Sequence, residues 1–278
     1  MDKVRILPAS SKLIGDILCP PDKSFSHRAA MIGALSSGET LIHNFSFCQD
    51  TWSTLHCLEL FGVTIQAYPN QGVVKVISSG KDGLSEPSDI LDVGNSGTTL
   101  RLIAGISAGI QGLSVLTGDQ SIRQRPMKRI IDPLRKTGVV IGGRDGDRYA
   151  PLYIIGKNPL RAFHHTLEIP SAQVKSCLLF AALWGDAPSF IKEPIPSRNH
   201  TENMLQAVGG DIRKQNEIIQ VYPGKDLIAR PFHLPGDASS AAFLIAAALL
   251  ISKSHLIIRN IGLNPTRIGM VHCLQRMG

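Results

Sequence analysis

Aromatic residues occupy only 5% of the 278 positions, and charged residues only 18%. Scarce aromatics argue against a base-stacking platform, and no run of five basic residues forms a nucleic-acid tract. Cysteine is sparse too. Cys19, Cys48, Cys57, Cys177 and Cys273 make an odd set without a C-x-x-C pair. They read as reduced, mostly buried thiols of a cytosolic protein. The nine histidines show no H-E-x-x-H or comparable spacing, so no metal is expected. The longest apolar run, Ala241–Ile251, is about half the ~20 residues a bilayer helix needs. Met1–Pro20 lacks the sustained apolar segment of a secretory leader. No G-x-x-x-x-G-K-[ST] is present, which removes a P-loop nucleotide site.

Against these absences stands a positive balance. The 29 Lys and Arg outnumber 22 Asp and Glu, leaving +7, which favours an anionic partner without naming it. A hydrophobic fraction of 43% is that of a globular protein, and 278 residues exceed the usual size of one core. Two domains are therefore expected.

The chain also repeats itself. PPDKSFSHRAAMIGAL, GNSGTTLRLIAGIS, PSAQVKSCLLFAAL and PGDASSAAFLIAAALL each begin with a polar cluster and enter a small-residue, apolar helix. The steps from Ser24 to Ser96, Ser171 and Asp237 are 72, 75 and 66 residues. A strand-like run follows at LIHNF, LSVLTG and HLIIRNI, less clearly at PSFIKEP. A second helix then ends on Gly62, Gly138, Gly209 or Gly278, glycine being the residue that reverses a helix at least cost. In the first three units a hairpin comes next, dividing around Gly, Asn or Asp. The unit reads β-α-β-α-β-β, and the fourth stops before its hairpin.

A polar loop feeding a helix start presents unpaired N–H groups and partial positive charge, which suits anions. Lys23 and Arg28 adjoin the first such loop, Arg101 the second and Lys175 the third; Arg123, Arg125 and Arg198 sit in other loops. Like-built units would aim these loops at one face. Taken singly, each residue has a plainer role. Ser24, Ser26 and Asp237 suit N-caps, and Arg198-Asn199 with Thr201 and Glu202 suit a capping arrangement. Gln173 and Lys175 suit solvent-facing positions on α-helical turns.

Read together, PPDKSFSHRAAMIGALSSGET, GNSGTTLRLIAG, TGDQSIRQRPM, PSAQVKSCLLFAAL, PSRNHTENML and GDASSAAFLIAAA resemble the 5-enolpyruvylshikimate-3-phosphate synthase family, the enolpyruvyl transferases of chorismate and aromatic amino-acid biosynthesis. The likeness extends over practically the whole chain. The related UDP-N-acetylglucosamine enolpyruvyl transferases have Lys-Asn where this chain has Lys23-Ser24, and a reactive loop cysteine that no cysteine here matches.

The resemblance implies an α/β fold, an inside-out α/β barrel of repeated βαβαββ units in two halves. Residues 22–235 would form one complete three-unit half, and 1–21 with 236–278 part of the other. It implies transfer of the enolpyruvyl group of phosphoenolpyruvate to shikimate 3-phosphate by addition and elimination, without cofactor or metal. Lys23, Ser24, Arg28, Ser171, Ala172 (through its backbone), Gln173 and Arg198 would bind shikimate 3-phosphate. Lys23, Gly97, Arg125 and Gln173 would bind phosphoenolpyruvate, and Lys23, Arg125 and Asp237 would be catalytic. Asn199 departs from the Asp usual in that motif. Gly97 implies sensitivity to the inhibitor glyphosate, because tolerant relatives carry Ala there. A cytoplasmic enzyme with small-molecule partners only, monomeric at full length, is implied as well. The family keeps its proton-handling carboxylates in units beyond this stretch. These 278 residues alone are therefore expected to turn over negligibly and to expose apolar surface around Phe243–Ile251. The competing readings are a non-catalytic phosphometabolite binder, a UDP-N-acetylglucosamine enolpyruvyl transferase-like enzyme and a nucleic-acid binder.

Overall fold

A computed structural model describes residues 12–278. Residues 1–11, which fall within the expected 1–21 segment and within the Met1–Pro20 stretch read as lacking a leader segment, lie outside the described residues. The chain divides into two compact units, Lys23–Leu234 and the residues up to Asp22 together with Pro235–Gly278.

The larger unit is built three times over. Its first module runs α1 (Lys23–Leu35), β2 (Ser37–His43), α2 (Gln49–Leu60), β3 (Thr64–Tyr68) and β4 (Val73–Ser79). The second runs β5 (Leu91–Asp92), α3 (Gly97–Ala108), β6 (Gly112–Thr117), α4 (Lys128–Lys136), β7 (Val140–Gly143), a left-handed turn α5 (Arg144–Asp147) and β8 (Tyr149–Gly156). The third runs β9 (His164–Thr166), α6 (Ala172–Ala182), β10 (Ser189–Lys192), α7 (His200–Ala207), β11 (Asp211–Gln215) and β12 (Ile218–Tyr222). The unclear run at PSFIKEP is thus a strand. Two sheets follow one pattern, β5-β6-β8-β7 and β9-β10-β12-β11, with the first pair parallel and the rest antiparallel.

The first module lacks a leading strand of its own, and β13 (Phe232–His233) fills that place. It runs parallel to β2, with Phe232 opposite Ile42 and His233 opposite His43. The end of the unit thereby completes the sheet of its beginning. Each second helix of the three modules is closed by a left-handed glycine, with φ +92° at Gly62, +89° at Gly138 and +99° at Gly209. A side chain at such a φ would be strained, so the chain turns from helix to hairpin there at little cost.

The layering is helix inside, sheet outside. Strand β8 alternates buried and exposed residues, as a sheet with one solvated face does. By contrast α1, α3 and α6 are buried along nearly their whole length and on all sides. Their alanines and glycines permit close approach. An ideal Cβ on Gly105 of α3 would lie 2.1 Å from the Cys177 carbonyl oxygen of α6, so the two backbones touch with no room for a side chain. Polar residues on such helices have no water to turn to and must find partners within the protein.

In the smaller unit, β1 (Ile14–Leu18) pairs in parallel with β14 (His255–Arg259). Helices α8 (Ala238–Leu250) and α9 (Gly269–Met277) complete the described part. Only Ala241 of α8 is buried, while Phe243 is 80% and Leu250 86% exposed. No described helix is long and apolar enough to cross a membrane. All five cysteines are free; Cys19, Cys57 and Cys177 are buried, and Cys273 is exposed.

Candidate active site

The starts of α1, α3 and α6 are tied together by side chains, and the ties form a ring. At the head of α1, the Lys23 ammonium meets Asp50 Oδ2 of α2 at 2.7 Å, with about half of the lysine side chain exposed. The Asp50 carbonyl lies 3.3 Å from Thr99 Oγ1 of α3. Beside it, Thr98 Oγ1 accepts from Gln173 Nε2 of α6 at 3.1 Å. One turn on, Ser176 Oγ accepts from Arg28 Nη2 at 3.0 Å. Arg28 Nη1 then returns to the Ser24 carbonyl, also at 3.0 Å.

Within the ring two clusters stand out. The first gathers Ser24, Arg28 and Arg198. Arg198 Nη1 donates to Ser24 Oγ at 3.1 Å, and Arg28 Nε donates to Thr201 Oγ1 at 2.8 Å. Arg28 is only 2% exposed, so at least three of its five N–H groups serve the protein itself.

The second cluster surrounds Gly97, the first residue of α3, behind the Ser96 N-cap. Arg101 Nη1 donates to Gln173 Oε1 at 2.7 Å, and Arg125 Nη2 to Asn95 Oδ1 at 2.9 Å. A Cβ on Gly97 would lie 2.9 Å from Nη1 of both arginines. Two guanidinium groups and a helix start thus converge where glycine leaves space. Burial, with Arg129 and Arg125 nearby, pulls Arg101 down to about 10, so it stays charged at neutral pH. Its buried Nε has no hydrogen-bond partner among the described residues. Concentrated positive charge of this kind favours a compact anion.

Ser171 caps α6 by accepting from the Val174 N–H at 3.4 Å, and buried Ala172 follows it. Nine of the ten residues singled out in the sequence thus lie in the larger unit, around these helix starts. Asp237 belongs to the smaller unit. Its carboxylate caps α8, accepting from the Ser239 N–H at 2.8 Å, and meets Arg267 Nη2 at 2.7 Å.

Sequence reasoning missed several participants. Asp50 acts as a partner from a position that no motif marks, while Asn95, Thr98 and Ser176 lie within the matching segments but not among the expected site residues. Thr201 and Glu202, which read as capping residues, face inward to Arg28 and Lys175. Lys175 itself is wholly buried and does not face solvent.

Behind the helix starts runs a buried polar chain. His27 Nδ1 lies 2.6 Å from Thr54 Oγ1, which lies 2.7 Å from Thr99 Oγ1, which donates to Ser96 Oγ at 2.6 Å. Burial, reinforced by Arg28, pushes His27 down to about 3. Below pH 6.5 the unfolded chain therefore takes up a proton that the folded chain refuses, and stability falls as pH drops towards 3. The slope from this group is about 1.4 kcal/mol per pH unit. Urea unfolding at pH 7 and pH 4.5 should show a drop about 2–3 kcal/mol larger in the wild type than in His27→Gln. Equal drops in both proteins would contradict this assignment.

Comparison with known proteins gives a consistent result. The family described as EPSP synthase (3-phosphoshikimate 1-carboxyvinyltransferase) matches residues 7–278. The chain is 42% identical over 278 residues to the 3-phosphoshikimate 1-carboxyvinyltransferase of Syntrophotalea carbinolica, covering 100% of itself and 64% of that relative. It is 46% identical over 269 residues to the enzyme of the same name from Pelotomaculum thermopropionicum, covering 97% of itself and 62% of that relative. An EPSP synthase structure from Acinetobacter baumannii superposes with a TM-score of 0.91 at 37% identity, covering 98% of this chain and 61% of that one. The chain thus spans less than two thirds of the length of these relatives.

Proposed function

Because the chain belongs to the EPSP synthase family, we propose that the whole protein transfers the enolpyruvyl group of phosphoenolpyruvate to the 5-hydroxyl of shikimate 3-phosphate. The observation that carries this reading is the ring of contacts that sets Lys23, Arg198, Arg125 and Gln173 around the starts of three buried helices. Both substrates are polyanions, and bringing them together requires dense positive potential.

In this reading the 5-hydroxyl gives up its proton as its oxygen adds to C2 of phosphoenolpyruvate, and C3 gains a proton. The adduct then loses phosphate from C2 and a proton from C3, leaving the enol ether. Lys23, oriented by Asp50, stabilises the oxygen that departs with phosphate. Ser24, Arg28, Arg198, Ser171, Gln173 and the Ala172 backbone hold shikimate 3-phosphate. Gly97, Arg125, Gln173 and Lys23 hold phosphoenolpyruvate, with arginine forks matching its phosphate and carboxylate. The reading gives Asp237 a part in the chemistry from its place at the head of α8. Residues 22–235 make one three-module half, and 1–21 with 236–278 belong to the other. The protein works in the cytoplasm as a monomer on free metabolites, without cofactor, membrane or nucleic acid, and glyphosate inhibits it.

Calorimetric titration with shikimate 3-phosphate tests the reading. Binding is expected, and Arg198→Ala should weaken it about 10- to 100-fold, the worth of a hydrogen bond to a charged group. Heat from an oligonucleotide, steeply salt-dependent and unaffected by shikimate 3-phosphate, would instead support a nucleic-acid binder.

A second expectation concerns Gly97. Its Cβ would press on Nη1 of Arg101 and Arg125, and buried Arg101 has little room to yield. Gly97→Ala should therefore weaken glyphosate binding to the shikimate 3-phosphate complex about tenfold, leaving shikimate 3-phosphate affinity within about twofold. Unchanged glyphosate affinity would count against placing the anion there.

A further inference from the structure

A buried charge cluster lies behind the Arg198 loop. Lys175, in the first turns of α6, has no exposed surface, and lysine is almost never fully buried unless paired. Its ammonium lies 2.8 Å from Glu193 Oε1 and 2.7 Å from Glu202 Oε1. Glu193 is also fully buried, apart from the rim contact of Lys214 at 3.6 Å from its Oε2. Burial would raise the Glu193 carboxyl, but the Lys175 ammonium and the Ser197 donors outweigh it and hold the group below its ordinary range.

These charges do more than neutralise one another. Glu193 Oε1 accepts from the Ser197 N–H at 2.9 Å and from its Oγ at 2.5 Å. Lys175 Nζ donates to the Ser197 carbonyl at 3.3 Å. Both backbone polar groups of Ser197 are therefore gripped from the interior, in a segment between β10 and α7 that has no regular structure. The next residue is Arg198, whose guanidinium reaches Ser24 at the head of α1. A buried ion pair is weak evidence for stability, because well-packed apolar residues often serve as well. Its contacts with Ser197 supply a different reason for its presence.

We infer that Lys175 and Glu193 are positioning residues: through Ser197 they fix the loop that presents Arg198, and so set the anion affinity of the Ser24–Arg198 cluster. The inference rests on the proposed binding of shikimate 3-phosphate at that cluster. Lys175 and Glu193 themselves touch no substrate; they act through Arg198.

The test is Lys175→Met/Glu193→Leu, which replaces the ion pair that holds Ser197 with apolar side chains of similar volume and leaves Glu202 buried without its cation, in wild-type and Arg198→Ala backgrounds. Shikimate 3-phosphate affinity, read by calorimetry, should fall about tenfold in the double variant and no further once Arg198 is already alanine. Amide exchange, read by mass spectrometry on the 193–199 segment, should quicken at least about tenfold while α3 stays protected. Full additivity with Arg198→Ala, or unchanged exchange at 193–199, would overturn the inference. If the double variant does not fold, Glu193→Asp decides. It leaves both buried charges in place but draws the carboxylate back from the Ser197 N–H and hydroxyl by one methylene, and should weaken binding about threefold; unaltered affinity there would overturn the inference. If the wild-type chain itself does not bind shikimate 3-phosphate, the substrate reading fails, and the exchange arm alone decides whether the cluster holds the loop.

Discussion

Lys175→Met alone is expected to lower the unfolding free energy by roughly 3–5 kcal/mol, the usual cost of leaving a buried charge without its partner. The cost comes from the two buried carboxylates left without Lys175. Methionine nearly matches the shape of the lysine stem, so little packing is lost. What is lost is the ammonium that lies 2.8 Å from Glu193 and 2.7 Å from Glu202. Burial already raises the Glu202 carboxyl even with Lys175 beside it. Without the lysine, both carboxylates would hold protons more tightly in the folded than in the unfolded chain. Groups raised in this sense favour folding at low pH, and the benefit disappears as pH rises through their folded values. The destabilisation should therefore be larger at pH 7 than at pH 5, the reverse of the trend that His27 produces. Urea unfolding at both pH values reads it directly. A variant that loses under about 1 kcal/mol at pH 7 would show that the carboxylates are solvated and the cluster is not dry.

What was legible in the sequence was local. Polar clusters before small-residue helices, the glycines at 62, 138 and 209, and hairpins split around Gly or Asn each announce themselves within a few residues. Repetition then made three weak signals into one module. The closing strand β13 was not legible: two residues pair with β2 from some 190 positions away, and a two-residue strand has no periodicity to detect. The site divides along the same line. Lys23 stood out beside a helix start and Arg198 in a loop before one, whereas Gly97 was marked only by the family resemblance. Nothing in the spacing says that Arg28 is held by Thr201, 173 residues away, or that Lys175 is held by Glu193 and Glu202. A signal did exist for Lys175, a single charge inside the apolar run VKSCLLFAAL. On a helix with one wet face that pattern means exposure. Here α6 is buried on every side, a property set by its neighbours rather than by its own sequence.

That all-round burial makes the contact between α3 and α6 an unforgiving place in the larger unit. Gly105→Ala would set a methyl carbon 2.1 Å from the Cys177 carbonyl oxygen, 2.9 Å from its carbon and 3.0 Å from its Cα. These are backbone atoms in the middle of a helix, so no rotamer change relieves the overlap, and the helices must move apart. Overpacking against mobile side chains costs about 1–3 kcal/mol, and a rigid backbone places this case at or above the top of that range. The gain of about 0.5–1 kcal/mol that alanine brings to a helix interior is too small to offset it. Gly33→Ala in α1 is the internal control. Its methyl would meet Thr40 side-chain atoms at 3.1–3.3 Å, which a shift of a few tenths of an ångström relieves. Gly105 also lies one turn beyond Arg101 on α3, so separating the helices would stretch the 2.7 Å bond from Arg101 to Gln173. Loss of stability and loss of the proposed shikimate 3-phosphate affinity should therefore appear together in Gly105→Ala and in neither respect in Gly33→Ala. Equal urea midpoints for the two variants would mean that α3 and α6 are not in backbone contact, and the alignment of their starts would need another cause.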